Sequence, residues 1–329
     1  MRIVRAPLRL TLGGGGTDLP GFYERNGGFL ISAAINKYIY LTGAMRPFDT
    51  RYWLSYSKLE VVDSLDQIQH GLLRKCLEKY QFKEGVEMHS ISELPSASGM
   101  GSSGSLLVCA LTLLNSMSKR EMTRHDVAEL ASRIEMKELE RSCGKQDHFV
   151  AAYGGIITLD IGRDGRVEVK DLPVSREVVR RLQNSLVLYH TGVARDANVV
   201  LKEQSSRLKN EASDAHARML KIKDIGYRSA EALTRGDLDA FGRLLHEHWM
   251  LKRGFQADMT SSDIDRVYQK ALDNGALGGK LIGAGGGGFL MFYAPPAQEA
   301  EFRRKMSAEG LIELDWSFSF TGCEVIFAN

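Results

Sequence analysis

The stretch Pro95-Ser96-Ala97-Ser98-Gly99-Met100-Gly101-Ser102-Ser103-Gly104-Ser105 places three glycines and five hydroxyls within eleven residues. The apolar run over 106–114 follows directly and is typical of a buried helix. A glycine-rich turn at the start of a helix exposes free backbone N–H groups, and the helix dipole adds partial positive charge to them. Serine hydroxyls at such a turn can bind phosphate oxygens or Mg²⁺. The sequence therefore predicts a phosphate-binding loop that leads into a helix.

Three other interpretations of this stretch fit less well. A flexible linker is at odds with the apolar helix that follows at once. Residues 99–104 also match the dinucleotide pattern G-x-G-x-x-G, but that pattern should open a βαβ unit. Here a polar turn and another helix, predicted over 122–141, come next. The pattern G-x-x-x-x-G-K-[ST] is absent, and 275–281, which comes nearest, lacks both the spacing and the hydroxyl.

The composition is that of an ordinary globular protein, with 329 residues, 43% hydrophobic content and a net charge of +2. Because the chain has no long basic run, we expect no nucleic-acid partner. The apolar runs are too short to cross a bilayer and the first residues lack a signal-peptide core, so we expect no membrane partner. The four cysteines are far apart, without a C-x-x-C motif. The cysteines are typical of a reduced, cytoplasmic setting, and we expect a monomer or homodimer.

The pattern along the chain predicts strands and helices without strict βα alternation, which indicates the α+β class. A domain boundary falls best within 170–184, which gives an N-terminal domain over 1–175 and a C-terminal domain over 176–329. The predicted strands are 1–12, 29–42, 52–62, 86–91, 185–190, 280–282, 289–293 and 321–328, with a hairpin at 155–169. The other predicted helices are 64–80, 123–142, 197–234, 238–252, 264–274 and 297–309.

Three glycine-rich segments, 13–16, 99–104 and 283–288, each adjoin an apolar strand or helix. We expect these segments to converge on a phosphorylated ligand, although three unrelated tight turns would give the same pattern. Phosphoryl transfer further needs a divalent cation, a group that orients or deprotonates the attacking hydroxyl, and positive charge. Ser103 and Glu135 are candidate Mg²⁺ ligands, and Asp147 is a candidate base with Lys145 and Arg9 as possible partners. The alternatives are a solvated helix face for Glu135 and a helix N-cap for Asp147.

Taken in order, the motifs resemble those of the GHMP small-molecule kinases over essentially the whole chain. The motifs are RAPLR (5–9), the loop 95–105, Glu135 with GKQD (144–147), and 280–289. Three further segments, LGGGGTDLP (12–20), HWMLKR (248–253) and GALGGKLIGAGGG (275–287), resemble the D-glycero-D-manno-heptose 7-phosphate kinase branch of that family. That branch phosphorylates the anomeric hydroxyl of a sugar on the way to nucleotide-activated heptose.

The resemblance implies a two-domain GHMP kinase fold. Its N-terminal domain would resemble domain 2 of ribosomal protein S5, and its C-terminal domain would be ferredoxin-like. It also implies the cofactors ATP and Mg²⁺, with Mg²⁺ held by Ser103 and Glu135 and with Asp147 as the catalytic carboxylate. Many family members have lysine where this chain has Arg9; since an arginine does not accept a proton, Arg9 is assigned an electrostatic role. The residues expected around the ATP phosphates are Pro95, Ser98, Gly99, Met100, Gly101, Ser102, Ser103 and Gly104.

The resemblance places the sugar near Gly15, Gly16, Thr17 and Asp18, with 283–288, including Gly285 and Gly286, closing the site. A sugar that already carries a phosphate needs a second basic patch. The available residues are Lys37, Arg46, Arg195, Lys252, Arg253 and Lys280; of these, Arg195 and Arg253 are favoured because both adjoin predicted loops.

Other functions remain open at this stage. An unphosphorylated sugar such as L-fucose, or another sugar phosphorylated at its anomeric hydroxyl, would need no second basic patch. A non-catalytic nucleotide or sugar sensor is a more distant alternative, but it would not need to keep Ser103, Glu135 and Asp147 together. A third alternative is an NAD-dependent oxidoreductase whose G-x-G-x-x-G loop binds the dinucleotide.

Overall fold

The computed structural model describes residues 1–95, 98–192, 197–209, 214–255, 261–283, 285 and 287–329, without the side chains of 197–199, 205 and 209. Two β-sheets with helices on their faces form the fold. The first sheet has eight strands in the order β12-β1-β2-β5-β3-β4, with β6 paired to β2 and β7 to β6. The strands of this sheet are β1 (Arg2–Gly13), β2 (Gly28–Arg46), β3 (Tyr52–Ser55), β4 (Leu59–Val62), β5 (Gly85–Ser92), β6 (Ile156–Ile161), β7 (Val167–Asp171) and β12 (Glu324–Ala328).

The second sheet has four antiparallel strands in the order β11-β8-β10-β9. They are β8 (Leu186–His190), β9 (Gly278–Leu281), β10 (Phe289–Tyr293) and β11 (Ile312–Glu313). The predicted boundary near residue 175 separates the strands of the two sheets except for β12, which returns to pair with β1.

Eleven α-helices lie in the described part of the chain. They are α1 (Pro20–Asn26), α2 (Gly71–Leu77), α3 (Ser102–Ser118), α4 (Arg124–Arg133), α5 (Gln146–Tyr153), α6 (Arg176–Ser185), α7 (Ala197–Lys209), α8 (Ala215–Arg235), α9 (Leu238–Arg253), α10 (Ser262–Asp273) and α11 (Glu299–Ala308). The helix predicted over 64–80 is a 3₁₀ turn (Leu65–Gln67) followed by α2, and the one predicted over 197–234 is seen as α7 and α8. None of the described helices is both long and apolar enough to cross a bilayer.

Helices α2 to α5 cover one face of the first sheet with an apolar core. The opposite face packs against α8, α9 and one face of the second sheet. Strand β1 contributes side chains to both cores, so the face on which each of its residues lies determines which groups are in contact between the two sheets.

An irregularity in the pairing of β1 with β2 lies at this junction. Pro7 pairs with Tyr38 and Leu8 pairs with Ile35, so two residues of β2 between them have no partner in β1. In a regular strand, residues two apart face the same side of the sheet. Here Ala6 lies in the core under α3 to α5, whereas Leu8 lies in the core shared with α8 and α9. The two faces of β1 therefore exchange at this irregularity, and Arg9 lies on the side of α5.

Candidate active site

The predicted phosphate loop does lead into a helix. Helix α3 begins at Ser102, and Gly101 precedes it with φ of 79°, in the left-handed region that favours glycine. The N–H of Ser105 donates to the carbonyl of Gly101 at 3.0 Å. Within the described residues, the N–H groups of Ser102, Ser103 and Gly104 have no backbone acceptor. Three donors therefore remain for a ligand anion at the positive end of the helix.

Asp147 lies directly against this loop. A Cβ added to Gly101 would lie 2.9 Å from Cγ of Asp147, and one added to Gly104 would lie 2.7 Å from its Cβ. Arg9 holds the carboxylate, with Nε 2.7 Å from Oδ1, and its Nη1 donates to the Gly99 carbonyl at 2.5 Å. The glycines at 101 and 104 thus allow a carboxylate, an arginine and the loop to occupy one small region.

Lys145, the other predicted partner of Asp147, points elsewhere. Its Nζ lies 3.1 Å from both carboxylate oxygens of Glu129 and donates to the Gly165 carbonyl at 2.5 Å. Asp147 is not a helix N-cap either, because Lys145 occupies that position of α5. Arg9 is therefore the basic partner of Asp147, and Lys145 ties α5 to α4 and to the turn after β6.

We expect Lys145→Met to lower the free energy of unfolding by about 1–3 kcal/mol, since the Gly165 carbonyl and Glu129 lose a charged donor. The value of kcat/KM should stay within about threefold of wild type. Urea unfolding and steady-state assays check both, with exposed Lys83→Met as the control. A large loss of turnover at unchanged stability would contradict the structural role.

Glu135 lies in a π-helical turn, Ile134–Glu138, that follows α4 directly. The capping box of Thr123 and Asp126 begins α4 where the sequence predicts. The predicted end near residue 142 is wrong, because the N–H of Leu139 bonds to the carbonyl of Ile134 at 3.0 Å and widens the last turn. Such turns occur often at functional sites. This one buries Glu135 to 3% exposure, which excludes the solvated-face alternative.

A buried pair holds the Glu135 carboxylate in place. Oε2 of Glu135 lies 2.8 Å from Nε2 of His148. Burial would raise the pKa of Glu135, but the hydrogen bond and charge of His148 outweigh it and hold that pKa below its usual value. Burial would likewise lower the pKa of His148, and Glu135 outweighs it and raises that pKa. The two groups are therefore an ion pair.

The residues present fit Mg²⁺. The Ser103 hydroxyl at the start of α3 is close enough to the buried Glu135 carboxylate to help lower its pKa. One hydroxyl and one carboxylate are oxygen ligands, and Mg²⁺ usually takes only one or two of them from a protein. His148 bonds only Oε2 of Glu135, and the nearest cation to Oε1 is Arg141, with Nη1 at 3.6 Å.

The loop after β1 serves the site mainly through its backbone. Oδ2 of Asp18 accepts from the N–H of Gln146 at 3.0 Å, and Oδ1 accepts from the N–H of Gly16 at 3.2 Å. Burial raises the pKa of Asp18, and the bond from Gln146 opposes that shift. The Thr17 hydroxyl is fully buried and bonded to the backbone of Phe29. Asp18 therefore holds the start of α5, and Thr17 holds the loop instead of facing the cleft.

The third glycine-rich segment packs onto the phosphate loop. A Cβ on Gly283 would lie 2.6 Å from the carbonyl oxygen of Gly99, and Gly288 lies against the backbone of Ser98. Two of the three glycine-rich segments, 99–104 and 283–288, are thus in contact with each other. Gly285 is described but Gly286 lies outside the described residues, as does Arg195. Pro95 is exposed beside the undescribed residues 96–97.

A cleft of about 60 Å³ is lined by some of these groups, whereas Glu135 and the described residues 98–104 do not line it. Its lining includes Arg9, Gly15, Gly16, Asp18, Cys143, Gln146 and Asp147 from the N-terminal side and Gln204, Lys252, Lys280 and Gly283 from the C-terminal side. Two larger hollows of about 640 and 740 Å³ flank α4 and contain neither Asp147 nor a loop glycine.

The basic residues are placed differently from the expectation. Arg253 is half-exposed, pairs with Asp265 at 2.9 Å and does not line the cleft. Lys252 and Lys280 do line it and are 8% and 3% exposed.

Sequence reasoning also missed Gln146, whose Oε1 accepts from the Thr11 hydroxyl at 2.7 Å, and His148. Both residues are adjacent to Asp147 in the sequence, which could have indicated their role. The burial of Lys280 could have been inferred from its neighbours in β9, which are two glycines and a leucine.

Comparison with known proteins agrees with this geometry. The family description "GHMP kinases N terminal domain" matches residues 68–155, and "GHMP kinases C terminal" matches residues 229–311, together just over half of the chain. A D-glycero-alpha-D-manno-heptose 7-phosphate kinase of Campylobacter jejuni is 29% identical over 98% of both chains. An L-fucokinase/L-fucose-1-P guanylyltransferase of Bacteroides fragilis is 24% identical over 93% of this chain and 36% of its own length.

Among solved structures, a D-glycero-D-manno-heptose 1-phosphate kinase from Bacteroides thetaiotaomicron superimposes with a TM-score of 0.83. It is 26% identical, and the match covers 100% of both chains.

Proposed function

The chain belongs to the GHMP kinase family, and from that premise we propose that it transfers the γ-phosphoryl group of ATP, with Mg²⁺, to the anomeric (C1) hydroxyl of a sugar. The proposed acceptor is D-glycero-D-manno-heptose 7-phosphate and the product its 1,7-bisphosphate, in nucleotide-activated heptose biosynthesis. The contact between Asp147 and the glycine turn at the start of α3 carries the proposal. That the protein is a sugar kinase follows from its family and from relatives named for heptose phosphates and fucose.

The residues supply the parts of an in-line phosphoryl transfer. The anomeric oxygen attacks the γ-phosphorus, its bond to phosphorus forms, the bond to the β–γ bridging oxygen breaks, and ADP leaves. Asp147 lines the cleft and orients the attacking hydroxyl; it takes the hydroxyl proton as the new bond forms. An anomeric hydroxyl is more acidic than an ordinary alcohol, so a carboxylate suffices. Arg9 fixes the Asp147 carboxylate and adds positive charge beside the transferring group.

The donor phosphates would lie at the start of α3. The free N–H groups of Ser102, Ser103 and Gly104 point to that position. Ser103 and Glu135 would hold Mg²⁺, which neutralises phosphate charge when bound. The buried His148 keeps Glu135 ionised and in one orientation.

The free thiols of all four cysteines support a cytoplasmic location.

We expect Ser103→Ala to raise the Mg²⁺ concentration at half-maximal activity about tenfold or more, since one of two proposed ligands is lost. Mg²⁺ titration of ADP release, with and without saturating sugar, measures the change. Ser102→Ala is the matched control, because Ser102 precedes it in the same turn. An unaltered Mg²⁺ response in Ser103→Ala would remove Ser103 from the metal site.

The decisive experiment is a coupled ADP-release assay over a panel of sugars and sugar 7-phosphates. Phosphorus NMR of the product identifies the acceptor oxygen. We expect turnover with heptose 7-phosphate and a new phosphate on C1. Faster turnover with L-fucose or another unphosphorylated sugar would replace the proposed acceptor, and the absence of turnover with every member would refute the proposed reaction.

A further inference from the structure

Two lysines lie buried in the C-terminal wall of the cleft. Lys252, in the last turn of α9, donates from Nζ to the Gly283 carbonyl at 2.5 Å. Lys280, in β9, has no hydrogen bond or ion pair to its ammonium from the described residues. We propose that Lys252 and Lys280 form an anion subsite that binds the phosphate carried by the acceptor sugar. This inference rests on the proposed function and names the residues that would select a phosphorylated sugar.

The charge balance of the cleft supports an anionic ligand. The two carboxylates that line it are already engaged, since Asp147 pairs with Arg9 and Asp18 accepts from two backbone N–H groups. In the described part of the molecule, neither lysine has a carboxylate within ion-pair distance. An isolated buried ammonium is costly, and a phosphate dianion would satisfy both lysines at once.

The buried histidine His248 lies close to the two lysines and is affected by their positive charge. His248 lies one helical turn before Lys252, is 1% exposed, and has no partner among described residues for either ring nitrogen. Burial lowers its pKa well below the usual value, and the charges of Lys280 and Lys252 add to the shift.

The pKa values of Lys252 and Lys280 are also lowered, as that of His248 is. Burial lowers the pKa of Lys252 to about 8; the charge of Arg9 adds and that of Asp18 opposes. Burial lowers the pKa of Lys280 well below its usual value, and the charges of Lys252 and Arg9 add. An opposite charge beside these groups would reverse the shifts, because it favours their protonated forms.

The position of the pair favours the acceptor over the donor as the source of the phosphate. The donor phosphates have their own ligands in the three free N–H groups of α3. The lysines line the cleft together with Gly15, Gly16 and Asp18, from the loop after β1, and with Gln204 of α7. Among the described residues, the first turn of α3 does not line this cleft, so a phosphate bound to the lysines would lie beside the loop after β1 and not on the three N–H groups.

The variants Lys280→Met and Lys252→Met test the subsite by binding, without turnover. Methionine keeps the length of the side chain and removes the buried charge, so we expect ligand-free Lys280→Met to unfold at or above the wild-type temperature. Lys252→Met also loses the bond to the Gly283 carbonyl, so we expect it to unfold somewhat below that temperature. Calorimetric titration with inorganic phosphate should show a dissociation constant raised about tenfold or more in both variants. Exposed Lys221→Met on α8 should bind phosphate like wild type. Equal phosphate affinity in wild type and both variants would overturn the proposal.

A second measurement fixes the source of the phosphate. The ratio of ATP to ADP affinity reports contacts to the γ-phosphate, and we expect Lys280→Met to leave it unchanged. A lower ratio in that variant would assign the lysines to the donor and overturn the acceptor assignment. Because both measurements are made without turnover, they remain readable if no sugar in the panel is phosphorylated, which is the result that would refute the proposed function.

Discussion

Replacing Asp147 with asparagine is expected to lower kcat about 100- to 10,000-fold while the dissociation constant of ATP stays within about threefold. Asparagine has nearly the same size and keeps an oxygen for Nε of Arg9, so the loop geometry is retained. It cannot take the proton of the attacking hydroxyl. The donor phosphates are bound by N–H groups of α3, which the substitution leaves in place. Steady-state kinetics and nucleotide titration measure the two effects separately.

Asp160→Asn is the matched control, because Asp160 is exposed on β6, away from the cleft. It should keep wild-type kcat. Turnover near the wild-type rate in Asp147→Asn would exclude Asp147 as the base and leave orientation as its only role.

Gly104→Ala is expected to lower kcat about 100-fold or more in a protein that stays folded. The new Cβ would lie 2.7 Å from Cβ of Asp147 and 3.1 Å from the backbone nitrogen of His148. Both distances are shorter than a normal contact, so the start of α5 must move away from α3. That movement separates Asp147 from the phosphate loop and strains the pair between His148 and Glu135.

Gly71→Ala is the control for this change. Gly71 begins α2, and a Cβ there would meet only Cδ2 of Leu139 at an ordinary 3.6 Å. We expect unchanged turnover and an unfolding free energy equal to or slightly above wild type. Circular dichroism of both variants checks folding. A fully active Gly104→Ala protein would show that the close approach of α3 and α5 is not needed for the reaction.

Local signals predicted much of the fold and part of the site. The α+β, two-domain GHMP kinase fold is confirmed by the matches to both family domains and by the superposition on a solved kinase. Glycine and serine at the start of an apolar run indicated the loop and α3, and Thr123 with Asp126 marked the start of α4. These features depend on residues close together in the sequence, so they can be predicted from the local sequence pattern.

Features that depend on distant contacts could not be predicted. The π-helical turn that buries Glu135 has no marker in the sequence, and its carboxylate is held by His148, thirteen positions away. Arg9, and not Lys145, pairs with Asp147 because of the irregular pairing of β1 with β2 between Pro7 and Leu8, where the faces of β1 exchange. Lys280 was named among the available basic residues but was not favoured, because its burial follows from packing between α9 and the second sheet.

The return of β12 to the first sheet has a consequence for biosynthesis. Arg2 pairs with Ala328, so β1 gains its second neighbour only after the ribosome has released Glu324–Ala328. Until then one edge of β1 offers unpaired backbone groups to any other extended chain. Contacts between residues so far apart in the sequence also slow folding. A fragment of residues 1–175 made alone would keep that edge open, and we expect it to aggregate where the whole chain does not.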